Sequence, residues 1–165
     1  MIASFNEENV SDDEAAQFRH RRAVRGIVYD ADGNIALIHA KNEGYHTLPG
    51  GGVEPEETYE QGIIRECKEE TGCDAQIIKY IGTTLEYQKG NSLLKDVWGY
   101  TLKVVGQKGL PTLVGDESEA EKNSVVEWVS LADAIKLIES LLEVSDLYIR
   151  YTVKTDIAFL KSIEI

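Results

Sequence analysis

A run of glycines followed at fixed distance by a capped and heavily acidic helix constrains this chain more than any other feature. Pro49-Gly50-Gly51-Gly52 forbids regular secondary structure. Shortly after it, Thr58 and Gln61 have the spacing of a capping box, which predicts a helix from Tyr59 to Thr71 with Gly72 as its left-handed terminator. On that helix Glu66, Glu69 and Glu70 stand at i, i+3 and i+4 and share an arc of about 100°. Each like-charge pair costs an isolated helix roughly 0.2–0.5 kcal/mol, and hard divalent cations bound by oxygen relieve such crowding. A merely solvated acidic face would point away from the apolar residues. Here Glu66 and Glu70 share their side with Tyr59, Gly62 and Ile63, whereas Gln61 and Lys68 mark the water side, with Ile64 nearer to them.

Three glycines behind a rigid proline allow a close backbone approach that side chains would block. A carbonyl of this loop can therefore join the carboxylates around a cation. Glu57, at the N-terminal edge of the helix, and Arg65 lie on roughly one side of it, so an ion pair pinning loop to helix is expected.

The remaining pattern is mixed. Two β-branched runs, Ala23 to Tyr29 and Ile35 to His39, flank the turn sequence Asp30-Ala31-Asp32-Gly33-Asn34 and predict a hairpin. A short extended piece is expected at His46 to Leu48. Gln76 to Tyr87 and Asp96 to Val105 read as long strands, 106–122 as loop, and Val125 to Val129 as a further strand. Leu131 to Leu142 and Asp146 to Leu160 carry helix-period apolar positions. Strands on both sides of a central helix, with more helices at the end, predict an α/β fold in which helices sandwich a mixed sheet.

The 165 residues, 42% hydrophobic, suit one core. The division expected is an N-terminal extension over 1–20 and a single domain over 21–165. A formal net charge of -12 argues against long nucleic acid as a partner, yet leaves room for a small phosphorylated ligand beside a bound cation. No apolar stretch approaches the roughly 20 residues of a membrane helix. Cys67 and Cys73 form neither a disulfide framework nor a paired zinc motif, which points to a reducing cytoplasm. His20, His39 and His46 are too scattered along the chain to suggest a metal site.

Gly51, five residues, Glu57, seven residues, then Arg65-Glu66-Cys67-Lys68-Glu69-Glu70-Thr71-Gly72-Cys73 resembles the signature of the Nudix hydrolases. All fixed positions are present, and the two apolar ones hold cysteines, which pack as small hydrophobes. The resemblance implies the family's α/β/α sandwich and hydrolysis of a nucleoside diphosphate linked to another group, X. It implies that Glu66, Glu69, Glu70 and the Gly50 carbonyl bind magnesium or manganese, and that Gly51, Glu57 and Arg65 brace loop and helix. It further implies a catalytic base that is Glu69 or an acid from the loop expected before the last strand, where Asp116, Glu117, Glu119 and Glu121 lie, with Glu121 preferred among them. Arg25 and His46 are the substrate-side candidates; His46 stands where many members carry a tryptophan. Nothing after the box matches the proline mark of ADP-ribose hydrolases, so X stays open. Two other readings are a nucleotide-sensing module that has lost turnover and a homodimer seam formed by Tyr148 or Tyr151.

Overall fold

The computed structural model describes residues 1–42, 44–111 and 124–163. The order is β1 (Ala3–Phe5), α1 (Asp12–Ala15), β2 (Arg19–Tyr29), β3 (Ile35–Ala40), β4 (Tyr45–Thr47), α2 (Tyr59–Thr71), β5 (Asp74–Gln88), β6 (Leu93–Val105), β7 (Ser124–Val129), α3 (Leu131–Glu139) and α4 (Leu147–Ser162). The seven strands form one mixed sheet in the order β1-β5-β6-β2-β3-β4, with β7 also paired to β3. The α/β class and the flanking helices expected from the sequence are thus observed. No helix among the described residues is long and apolar enough to cross a membrane.

Local sequence explains α2 directly. Thr58 and Gln61 make the reciprocal capping box, and Gly72 closes the helix in the left-handed conformation at φ 71°. Residues 1–20, expected as an extension, supply β1, which pairs in parallel with β5, and α1, which Ser11 and Glu14 cap. Glu7 is tied to Arg150 and Lys154 of α4.

The predicted hairpin needs correction. Strands β2 and β3 pair only at Tyr29 and Ile35, beside the turn, where Asp30 accepts the Asp32 and Asn34 amides. Beyond that point they splay, because the Pro49–Val53 segment takes the free edge of β2. The Gly26 amide donates to the Pro49 carbonyl at 2.8 Å, the Val24 amide to Gly51 at 3.0 Å, and the Val53 amide to Arg22 at 3.1 Å. The wedge that opens the sheet is therefore the glycine loop itself.

Two apolar layers follow from strand alternation. Ala23, Ile27 and Val97 pack with Val153, Phe159 and Leu160 of α4 and with Ala134 and Ile138 of α3. Val24, Val28, Tyr100 and Leu102 pack on the other face with Ile63 and Cys67 of α2. Tyr151 is buried and its hydroxyl donates to the Tyr87 carbonyl, so it cannot form the dimer seam considered above.

A Cβ at Gly99 would stand 2.4 Å from the Phe159 ring, which is how closely α4 lies on β6. Gly99→Ala should therefore cost about 1–3 kcal/mol of stability through overpacking, read as a lowered urea midpoint. An unchanged midpoint would mean that α4 does not sit this close.

Candidate active site

The acidic helix and the glycine loop meet through one guanidinium. Arg65 Nε and Nη2 donate to both oxygens of Glu57 at 2.7 and 3.0 Å, Nη1 donates to Glu66 and Glu69 at 2.9 Å each, and Nη2 also reaches the Gly52 carbonyl at 2.8 Å. Hydrogen bonding to Glu57, followed by the charge of Glu66, holds the Arg65 pKa above its ordinary value against burial. The same Arg65 contact lowers Glu57. Glu57 and Arg65 thus form an ion pair between the loop and α2.

Gly50 and Gly51 earn their identity by contact. Gly50 has φ 144°, and a Cβ there would lie 2.2 Å from the Val24 carbonyl oxygen. A Cβ on Gly51 would come within 2.5 Å of a Glu66 carboxylate oxygen. The Gly50 amide donates to Glu70 at 2.7 Å. Glu66 and Glu70 thus face the loop, as the helical projection required, and the exposed Gln61 and Lys68 face water.

Arg22 and Arg25 take opposite faces of β2. Arg22 turns outward to the carbonyls of Glu54, Pro55 and Glu57. Arg25 turns into the cleft and donates to the Gly50 carbonyl. Its Nε lies 3.3 Å from Asp156 of α4, whose other oxygen accepts the Thr47 hydroxyl and the Leu48 amide at 2.7 and 2.9 Å. Burial opposes the charge on Arg25, but Asp156 and then Glu70 outweigh it and hold its pKa up.

Arg25, Gly50, Gly51, Glu66 and Glu70 line a cleft of about 430 Å³ that also includes Arg21, Lys95, Tyr45 and Tyr148. Lys95 is buried and paired with Glu86, which Thr155 also contacts at 2.9 Å. The donor set on one wall is all oxygen: the carboxylates of Glu66 and Glu70 and the Gly50 carbonyl, with Glu69 beside them on Arg65. Four acids, Glu57, Glu66, Glu69 and Glu70, stand against two guanidiniums, and Arg25 is shared with Asp156. That surplus of anionic oxygen fits a hard dication. Arg21, Arg25 and Lys95 line the same cleft, and their charge suits phosphate oxygens.

His46 is not brought to this cleft. Its neighbours Tyr45 and Thr47 line the cavity, so strand alternation turns His46 to the far side. There its Nε2 lies 3.0 Å from Glu127, while His39 Nδ1 lies 2.8 Å from the same carboxylate. Two of the three histidines judged too scattered for a metal site, His39 and His46, are therefore neighbours, because β3, β4 and β7 lie side by side. Glu121 and the other loop acids fall outside the described residues. Trp98 stacks on Tyr59 at 4.1 Å on the α2 side, which makes it a packing residue. Burial pushes the Cys67 thiol up to about 11, consistent with its role as a small apolar side chain.

Asp156, Lys95 and Arg21 were not identified from sequence, and Tyr148 was read only as a dimer-seam candidate. The signal available was a lone acid within the apolar stretch of the last helix and a lysine in a strand pattern, both of which normally mean surface charge.

The chain is similar to known proteins in sequence and in fold. Residues 19–149 match the NUDIX domain model. An ADP-ribose pyrophosphatase of Methanocaldococcus jannaschii is 44% identical over 63 residues, 36% of this chain and 37% of that protein. A putative 8-oxo-dGTP diphosphatase of Bacillus subtilis is 36% identical over 66 residues, 40% and 41% of the two. The chain spans about half or less of the length of the curated relatives it matches. Among solved structures, the E. coli ORF135 protein superposes with a TM-score of 0.60 at 20% identity, covering 90% of this chain and 91% of that one. A NUDIX hydrolase from Nitrosomonas europaea also gives 0.60 at 17% identity, covering 83% and 88%. With its box assembled on loop and helix and most of its length matched by the family model, this chain belongs to the Nudix family.

Proposed function

We propose that this chain is a divalent-metal-dependent hydrolase of the pyrophosphate linkage in small nucleoside diphosphate-X compounds. The observation that carries the reading is the gathering of Glu66, Glu70 and the Gly50 backbone in one cleft with Arg21, Arg25 and Lys95. Magnesium or manganese would be held by Glu66, Glu69, Glu70 and the Gly50 carbonyl, and when bound supplies charge neutralisation and a more acidic water. Arg25 orients a phosphate oxygen while Asp156 holds the guanidinium in place. Arg65 keeps Glu66 and Glu69 directed at the cleft. Glu69, or Glu121, which precedes β7 in the sequence, takes the proton from the attacking water. Tyr148 at the cleft rim offers a face for a base. Two free, buried cysteines suit a reducing compartment such as the cytoplasm.

A panel of nucleoside triphosphates, nucleotide sugars, dinucleoside polyphosphates and dinucleotide cofactors, incubated with Mg²⁺ and scored by product identity, tests this. Cleavage within the pyrophosphate bridge of at least one class is expected. Tight nucleotide binding with no product would favour a sensing module instead.

Acid should weaken the site early. Burial raises the Glu66 pKa above 4.5, with Arg65 opposing. A cation needs the ionised form, so Mn²⁺ affinity should begin to fall on acidification while the pH is still above 4.5. In the metal-free protein the sign is the reverse. A carboxyl with a raised folded pKa destabilises the fold once ionised, and that penalty is relieved as pH falls through the folded value. Mn²⁺ affinity constant down to pH 4.5 would contradict the placement of Glu66 in the site.

A further inference from the structure

On the sheet face turned away from the cleft, His39 of β3, His46 of β4 and Glu127 of β7 form a compact cluster that the hydrolytic reading does not use. Register explains their meeting. His39 lies directly opposite His46, and Glu127 lies opposite Leu37, one same-face position before His39. One ligand atom from each of the three lies within 4.8 Å of the others. The imidazoles stack with ring centroids 4.2 Å apart, each with one nitrogen aimed at a different oxygen of Glu127. The side chains are 27%, 14% and 38% exposed, so the cluster is held by the sheet yet open to entry.

We propose that His39, His46 and Glu127 form a second cation site, for a borderline divalent ion of the Zn²⁺ type, distinct from the hard-cation site on α2. Two imidazoles and one carboxylate are the ligand chemistry of zinc and its neighbours, not of magnesium. Tetrahedral bonds of about 2.0 Å put ligand atoms about 3.3 Å apart. With Glu127 binding through one oxygen, its contact of 2.8 or 3.0 Å to one imidazole nitrogen needs to open only slightly, and the other separations need to close from no more than 4.8 Å. Each neutral ring frees its inward nitrogen by carrying its proton on the other one. Three protein ligands leave a coordination position for water.

The ion would cross-link β4 to β7 over β3. His46 immediately precedes Thr47 and Leu48, which Asp156 grips, and Pro49–Val53 follows. Zinc at this point fixes the strand that feeds the glycine loop, so its first consequence is stability of the loop-bearing edge.

Cobalt is the probe, since Co²⁺ at a nitrogen–oxygen site gives visible ligand-field bands. One equivalent of Co²⁺ added to the full chain with excess Mg²⁺ present should produce such bands, and Zn²⁺ should abolish them and raise Tm. The bands should persist in Glu70→Gln and vanish in His39→Ala and Glu127→Gln. In the wild-type chain, where folding of a variant is not at issue, one equivalent of Zn²⁺ should shift the ring resonances of His39 and His46 and leave His20 unmoved. Absence of bands, bands lost in Glu70→Gln but kept in His39→Ala, or unmoved His39 and His46 resonances would overturn the proposal. None of these outcomes bears on hydrolysis, which the nucleotide panel judges separately.

Discussion

Glu70→Gln is expected to lower kcat/KM for any nucleotide substrate by at least about 10²–10³-fold, the scale seen when one preorganised group facing transition-state charge is removed. The amide keeps an oxygen that can accept the Gly50 N–H, so the loop should stay where it is while the charge is lost. Glu66→Gln should act similarly, with an added effect on position because Glu66 also binds Arg65. Turnover within threefold of wild type in Glu70→Gln, with an unchanged circular dichroism spectrum, would remove Glu70 from the reaction.

The largest effect on stability is expected at Asp156. Asp156→Ala strands the buried Arg25 guanidinium and leaves the Thr47 hydroxyl and the Leu48 amide without that acceptor. Breaking a buried ion pair from one side costs about 3–5 kcal/mol. Chemical denaturation should show a loss of that size. Pairing Asp156→Leu with Arg25→Met should recover much of it, because an apolar pair avoids the stranded charge. Activity should not return with the stability, since the cleft then lacks the Arg25 contact to the Gly50 loop. A loss below about 1 kcal/mol in Asp156→Ala would mean that the pair is neither buried nor coupled as described.

What was legible in the sequence was local. The capping box, the glycine stop and the spacing of the acids act within one helix, and helical periodicity was enough to show which side Glu66 and Glu70 take. Strand alternation alone puts Arg22 and Arg25, three residues apart, on opposite faces without knowledge of their partners. Relationships across the sheet were hidden. The splay between β2 and β3 depends on a segment that follows β4 in the chain wedging onto β2, which no hairpin signal encodes. Asp156 enters the site from the last helix, and its role follows only from how α4 lies against Leu48 and Arg25. His39, His46 and Glu127 look unrelated along the chain because their meeting is fixed by strand order and register. The burial of Tyr151 likewise goes with a hydroxyl contact to the Tyr87 carbonyl of β5, which its helical position does not encode.

The central claim is that the acids of α2 and the glycine loop exist to hold dications against a pyrophosphate bridge. Calorimetric titration of Mn²⁺ into folded His39→Ala protein, in which the imidazole cluster cannot contribute, tests it most directly. Uptake is predicted in that background, strengthened by a nucleoside diphosphate and abolished when Glu66→Gln is added. Well-folded protein that takes up no Mn²⁺, with or without nucleotide, would contradict the account.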